Sequence, residues 1–165
     1  MLRTLRLSAI AALGIAAWSP AVASATDFYG PATVTHTKPA SCPNYALCMY
    51  EGDNFGGSKR VRGSSELNDA DWRNNHYEDG SGLNDNGNSV YNASYVYVKR
   101  LFRNTSYGSH VLCIAPRTGV RDLDTVEWID MWGDFPVRDD LQDKISAHKS
   151  HNADIDDLHC NWRAR

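Results

Sequence analysis

Beyond its first two dozen residues this 165-residue chain lacks three things: an apolar run of membrane-spanning length, a surplus of basic charge and any long stretch with helical period. A bilayer-crossing helix needs about 20 consecutive apolar residues. The one long greasy segment, Leu7 to Trp18, is shorter and is cut off by Pro20, which argues against an anchor. Lys and Arg number 17 against 20 Asp and Glu, a formal net charge of −3. Affinity for nucleic acid and for anionic lipid comes largely from Lys and Arg, so neither is an expected partner. Also missing is the Gly-x-Ser-x-Gly nucleophile elbow. His76, Asp79 and Ser81 lie close together, but in a turn-rich stretch where such residues are common. No nucleophile and base are set up for catalysis, and the chain is not expected to be an enzyme.

What is present at the start is an export pattern. Arg3 and Arg6 precede the apolar core, and Ala21-Val22-Ala23 and Ala23-Ser24-Ala25 offer two small-x-small cleavage sites. Charge, greasy core and small-residue exit in that order mark a secretory signal peptide over residues 1–25. Its removal leaves 15 basic against 20 acidic residues, a charge of −5, on a chain of about 140 residues that suits one domain. Cys42, Cys48, Cys113 and Cys160 all lie in the mature part. An even count in an exported chain favours two disulfides. Three connectivities exist, of which Cys42–Cys48 with Cys113–Cys160 is preferred. The first closes a short loop around Pro43, and the second closes a long one, where cross-linking gains most.

Residues 26–41 hold two prolines and no period and are expected to be a flexible arm, with order beginning near Cys42. Short apolar runs then recur at 46–50, 89–91, 95–102, 109–115, 126–132 and 144–148, separated by Gly- and Asn-rich breaks. Tyr95-Val96-Tyr97-Val98 carries the strongest strand signal. Residues 79–88 are turn chemistry throughout, and residues 69–75 suit one short helical turn with Trp72 facing inward. Many short strands with such turns imply an all-β sandwich or barrel.

Two self-similarities suggest duplication. Leu47-Cys48-Met49-Tyr50 aligns with Leu112-Cys113-Ile114-Ala115, and residues 82–89 align with 140–147. The expected division is a first motif over about 42–104, a second over about 105–151, and a tail at 152–165. Two four-stranded units in contact would make a sandwich.

The run from Tyr50 to Gly57 resembles the opening hairpin of a βγ-crystallin motif, and Asn84-Asp85-x-x-Asn88-Ser89 resembles the calcium signature of that Greek-key fold. Ser41 to Tyr50 is similar to the start of the secreted bacterial proteins grouped as peptidase inhibitor family I36, whose prototype is a Streptomyces metalloproteinase inhibitor. The resemblance implies a secreted, monomeric inhibitor of extracellular peptidases, metallo or serine, that presents a rigid surface to a protease cleft. No inhibitory loop is identifiable; residues 53–58 and 118–122 are candidates. Two other functions stand beside it: a calcium-binding structural or cell-surface module, and a carbohydrate- or cell-wall-binding module.

For calcium, Asn84, Asp85, Asn88 and Ser89 in the first turn and Gln142, Asp143 and Ser146 in the second offer oxygens. Asn88 stands where the family pattern has a hydroxyl residue, and Gln142 and Ala147 depart from it in the second copy, so the second site is expected to be degenerate. No other cofactor is required. His148, His151, His159 and Cys160 could suggest zinc, but their spacing is not that of a helical His pair, and solvated histidines are expected instead. Asp154, Asp156 and Asp157 lack the glycine and glutamate of an EF-hand. Trp72, Trp128, Trp132, Trp162, Tyr50, Tyr91, Tyr95 and Tyr97 could form a sugar platform; a core role is expected. Asn92-Ala93-Ser94 and Asn104-Thr105-Ser106 are glycosylation sequons only in a glycosylating host.

Overall fold

The computed structural model describes residues 33–126, 128–130, 137–139, 141–160 and 162–164. The leader, residues 26–32 of the arm and Trp132 lie outside the described residues, as do the side chains of Trp128 and Trp162. Two five-stranded sheets face each other. The first runs in the order β1 (Val34–Thr35), β8 (Thr118–Val120), β5 (Ser89–Asn92), β2 (Leu47–Tyr50), β3 (Lys59–Arg62). The second runs β12 (Trp162–Ala164), β7 (Gly108–Ile114), β6 (Val98–Asn104), β11 (Ala147–His151), β4 (Asn68–Asp69). A separate hairpin pairs β9 (Trp128–Asp130) with β10 (Val137–Asp139). Helical structure among the described residues is limited to 3-10 turns.

Each motif contributes three strands to its own sheet and lends the third in sequence to the other. β4, from the first motif, pairs with β11, and β8, from the second, pairs with β5. This is the Greek-key exchange of a βγ-crystallin domain. Registers establish the internal correspondence: Tyr50 opposes Ser89 and Lys59, while Phe102 opposes Ala147 and Val111. The counterpart of Leu47–Tyr50 is therefore Lys99–Phe102, not Leu112–Ala115, which is the following strand of the second motif. Lys99 and Arg100 disguise the match, because they share no chemistry with Leu47 and Cys48. β6 consequently opens the second motif rather than closing the first. Residues 82–89 and 140–147 do correspond: Leu83 and Leu141 are buried, and the next strands begin at Ser89 and Ala147.

The same pseudo-twofold runs through the backbone bonds that join the motifs. Asn54 donates to the Arg121 carbonyl and Ser106 to that of Ala70, each at 2.7 Å. Leu123 donates to the Asn88 carbonyl at 2.8 Å and Trp72 to that of Ser146 at 2.9 Å. In both opening hairpins, β2–β3 and β6–β7, an aromatic folds back on the first strand: Phe55 meets Tyr50 at 5.4 Å, and Tyr107 meets Phe102 at 5.3 Å.

Alternation along the strands sorts side chains into layers. Leu47, Met49, Val90, Leu101, Leu112, Ile114 and Val120 fill the space between the sheets with Trp72, Leu83, Leu141 and Ile145. Tyr50, Tyr91, Ala93 and the Cys42–Cys48 bridge form a small cluster on the outer face of the first sheet. Phe102, Val111, Ala147 and Ile155 do the same on the second, beside Cys113–Cys160. Trp72, Tyr50 and Tyr91 are thus core residues.

Order begins before Cys42. Val34 and Thr35 pair with Val120 and Gly119, and the Tyr91 hydroxyl donates to the His36 carbonyl at 3.2 Å. A strand was hidden there because two residues give no period to read. Conversely, Tyr95 and Val96 are not in a strand. The Ser94 hydroxyl accepts from the N–H groups of Val96 at 3.2 Å and Tyr97 at 2.9 Å, diverting them from a ladder into a turn. The tail is drawn in as well, since β12 runs parallel to β7 with Arg163 opposite Cys113.

Cys113 and Cys160 are 47 residues apart and Cys42 and Cys48 only 6. In the chain-entropy account their loops are worth about 4 and about 2 kcal/mol respectively. The double replacement Cys113→Ser with Cys160→Ser is therefore expected to lower the urea-unfolding free energy more than Cys42→Ser with Cys48→Ser does. Equal losses would count against that account.

Candidate functional site

The two Asp turns are the most elaborately built polar feature of the fold. Asp85 and Asp143 both hold φ at +51°, a left-handed conformation that Asp tolerates through local hydrogen bonding. The turns are bonded to each other reciprocally: Asp85 N–H donates to the Ile145 carbonyl at 3.2 Å, and Asp143 N–H to that of Gly87 at 3.3 Å. A side chain at Gly87 would meet the Met49 sulfur at 2.8 Å and would have to displace that thioether from the core. Ser146 Oγ donates to Asp85 Oδ1 at 2.8 Å, and Asn84 Nδ2 to Asp85 Oδ2 at 2.6 Å. The amide oxygens of Asn84 and Asn88 are buried without a hydrogen-bond partner.

A cleft of about 420 Å³ opens beside these turns. Of the seven residues the sequence offers for calcium, Asn84, Asp85, Asp143 and Ser146 line it; Asn88, Ser89 and Gln142 do not. The Ser89 hydroxyl is committed elsewhere, donating to the Gly52 carbonyl at 2.6 Å and accepting from Phe55 N–H at 3.0 Å. It holds the first hairpin closed. Arg73, Arg103 and Lys144 share the cleft wall. Arg73 is bound to Asp71, whose carboxyl its hydrogen bonds lower to about 2. Two carboxylates with amide and hydroxyl oxygens fit a hard cation such as calcium, while the cationic wall weakens the attraction.

Neither candidate inhibitory loop is a free loop. In 53–58, Gly52 donates to the Gly56 carbonyl and Gly56 to that of Asp53, and Phe55 turns inward. In 118–122, residues Thr118–Val120 are the buried strand β8, a correction to the expected exposure. A side chain at Gly119 would stand 2.8 Å from the Val90 carbonyl, which forces glycine at that crossing. The most exposed large apolar side chains among the described residues lie elsewhere, at Tyr45, Tyr95 and Val96. Tyr95 and Val96 are expected from the sequence to lie in a strand, and Tyr95 in the core; Tyr45 has no role assigned there. Nor is Asn92 a glycan site, since it is fully buried and its Nδ2 donates to the carbonyls of Tyr97, Ile114 and Ala115.

Residues 35–114 match the model of peptidase inhibitor family I36. Over that span the chain is similar to this family. The I36 family is one of inhibitors, not enzymes. A solved structure described as "Evolution of the eye lens beta-gamma-crystallin domain fold" superposes with a TM-score of 0.50 at 20% identity, over 74% of this chain and 100% of that one. It is similar in fold alone. A double mutant of a betagamma-crystallin domain from Clostridium beijerinckii gives 0.39 at 16% identity, over 66% and 98% of the two chains. No curated protein matches. No helix of the described residues is long and apolar enough to cross a membrane.

Of the three histidines expected to be solvated, His159 is exposed and His151 partly so, but His148 is not. His148 is fully buried, because it alternates inward on β11 at the position matching Val90. The Trp72 indole N–H donates to its Nδ1 at 3.2 Å, so the ring proton sits on Nε2 and donates to the Glu66 carbonyl at 3.1 Å. Cys160 is in its disulfide. Among the described residues no group of three or more His, Cys, Asp or Glu could hold a metal. Beside His148, Lys99 is buried with Nζ donating to Ser150 Oγ at 2.7 Å, and Ser150 Oγ in turn donates to the Leu67 carbonyl at 2.6 Å. Burial lowers Lys99 to about 8.

Burial chiefly, with Lys99 and Arg62 nearby, lowers His148 to about 4, against the opposing pull of the Glu66 carbonyl and Asp69. The folded state keeps this ring neutral where the unfolded chain, near the ordinary value of 6.5, takes a proton. Its contribution is present above pH 6.5 and is lost as pH falls to 4, an effect on the order of 3 kcal/mol. Unfolding free energy is thus expected to drop more steeply between pH 6.5 and 4 in the native protein than in His148→Val. Urea titrations of both across that range check it; parallel curves would overturn it.

Proposed function

We propose that this chain is a secreted inhibitor of extracellular peptidases, which blocks a peptidase cleft with a rigid protein surface. The observation that carries the proposal is the I36 match over residues 35–114. The signal-like pattern of residues 1–25 and the two disulfides suit export to an oxidising compartment. Inhibition of this kind needs no chemistry from the inhibitor. It needs a surface whose conformation is already fixed, so that little entropy is lost on docking. A sandwich whose motifs exchange strands, with one bridge at each outer cluster, is such a body.

The mature protein titrated against a thermolysin-like metallopeptidase and a subtilisin-like serine peptidase is expected to abolish one activity stoichiometrically. Undiminished activity of both would defeat the proposal.

A calcium-supported variant of the same reading is favoured by the orphaned oxygen of Asn84, which lines the cleft. Asn84, Asp85, Asp143 and Ser146 would hold the ion, and its charge would draw the two turns together. Affinity in the ~10⁻⁴–10⁻³ M range of extracellular modules is expected. Millimolar calcium should then raise the melting temperature of the native protein and not that of Asp85→Ala. A melting temperature indifferent to both calcium and chelator would remove this reading while leaving inhibition untouched.

A further inference from the structure

Eight non-glycine residues among those described hold positive φ. Six form three pairs related by the internal pseudo-twofold: Asn54 with Ser106, Phe55 with Tyr107, and Asp85 with Asp143. Their strain belongs to the fold, because both motifs repeat it. Tyr45 at +65° and Arg117 at +59° have no counterpart. Strain of this kind persists only where the surroundings over-determine it, and it clusters at sites that hold ligands.

These two residues, from opposite motifs, meet on one ring. Tyr45 lies 4.9 Å from Tyr95 between centroids, and the Arg117 guanidinium sits 4.6 Å over the same Tyr95 ring. Tyr45 and Val96 are each 57% exposed and Tyr95 48%. Three loops carry the group, and all three are fastened. Tyr45 N–H donates to the Ala93 carbonyl at 2.9 Å, Ala93 N–H returns a bond to Ala46 at 2.7 Å, and Arg117 N–H donates to Ser94 at 3.1 Å. Buried Asn92 ties the second loop to the third through the carbonyls of Tyr97, Ile114 and Ala115. The Cys42–Cys48 bridge closes the first loop around Tyr45.

We propose that Tyr45, Tyr95, Val96 and Arg117 form the surface that docks into the peptidase, an inference that rests on the inhibitor reading above. The composition is that of binding hot spots, in which Tyr and Arg are enriched. Tyrosine on a fixed loop brings large contact area with few torsions to freeze. Segments 39–50 and 88–98 contain no charged residue, so Arg117 is one cation on an apolar ground. The partner it fits is a peptidase with an apolar subsite for Tyr45 and Val96 and a carboxylate at the rim for Arg117. A glycan fits less well, because stacking needs an open ring face and the guanidinium covers that of Tyr95.

The experiment measures inhibition constants for the native protein, Tyr45→Ala, Arg117→Glu and Val96→Asp against the peptidase class it inhibits, with melting temperatures in parallel. Glu78→Gln serves as a surface control, and binding to insoluble cell-wall glycan is assayed alongside. Inhibition weakened about tenfold or more in the three patch variants at an unchanged melting temperature, with the control as native, supports the proposal. Val96→Asp keeps the test decisive if Tyr45→Ala does not fold. Native inhibition with all patch variants equally potent overturns the docking surface alone. Glycan binding that depends on Tyr45, with inhibition unaffected, overturns it in favour of a carbohydrate site. A native protein that inhibits neither class removes the inhibitor reading and this surface with it.

Discussion

The backbone bonds that seat β8 beside β5 and β4 beside β11 are the constraint on which the rest of the domain depends. Each motif lends its third strand, so neither sheet is complete without both. Register is fixed by that loan: Val90 faces Val120 and His148 faces Asp69. A slip of one residue would turn the apolar face outward and move a residue larger than Gly119 onto Tyr91. Because β5 and β11 start immediately after the Asp turns, fixing the strands also carries the two turns into contact. The reciprocal bonds of Asp85 and Asp143 follow from the strand exchange; they do not cause it.

The pseudo-twofold is broken inside the core. Leu47 and Val90 in the first motif correspond to Lys99 and His148 in the second. A buried cation and a buried imidazole are costly unless every donor and acceptor is matched. Here His148 is bonded at both ring nitrogens, by Trp72 and the Glu66 carbonyl, and Lys99 donates to Ser150, which donates on to the Leu67 carbonyl, all on segments around β4 and β11. Such a network is satisfied in one register only, so one end of the sandwich is specified by polar geometry and the other by apolar volume. The response of His148 to pH belongs to the polar end.

What could be read from the sequence was set by the physics of each element. The all-β class, the Asp turns and both disulfides were legible, because turn chemistry and cysteine pairing are local or compositional. The domain's opening hairpin was legible for the same reason: an aromatic, a turn and an aromatic-Gly pair lie within eight residues. The repeat was half legible. Its turns align, but its first strands do not, since Lys99 and Arg100 replaced apolar residues while the backbone register stayed. Tyr95-Val96-Tyr97 was misread for an instructive reason. β-propensity measures fit to a half-buried pleated surface, and a single hydroxyl, that of Ser94, removed the two N–H groups a strand would have needed. Strands of two or three residues such as β1 and β8 are defined by partners far along the chain and leave no local trace.

A duplicated fold separates what architecture requires from what is left free. Features present in both motifs, the folded-back aromatics, the Asp turns and their left-handed residues, are required by the sandwich and would exist whatever the protein did. Features present once need another cause. The Lys99–His148 network finds its cause in register. The strain at Tyr45 and Arg117 is not repeated in the other motif: the Arg117 carbonyl accepts from the Tyr91 hydroxyl at 3.0 Å, and the Tyr45 side chain that this local geometry positions is exposed. The rings of Tyr45 and Tyr95, held at the surface by a bridge, a buried amide and crossed backbone bonds, pack on each other and under Arg117 yet stay about half exposed. Their remaining surface is available to another molecule at little cost in ordering, which is the energetic condition the proposed docking surface requires.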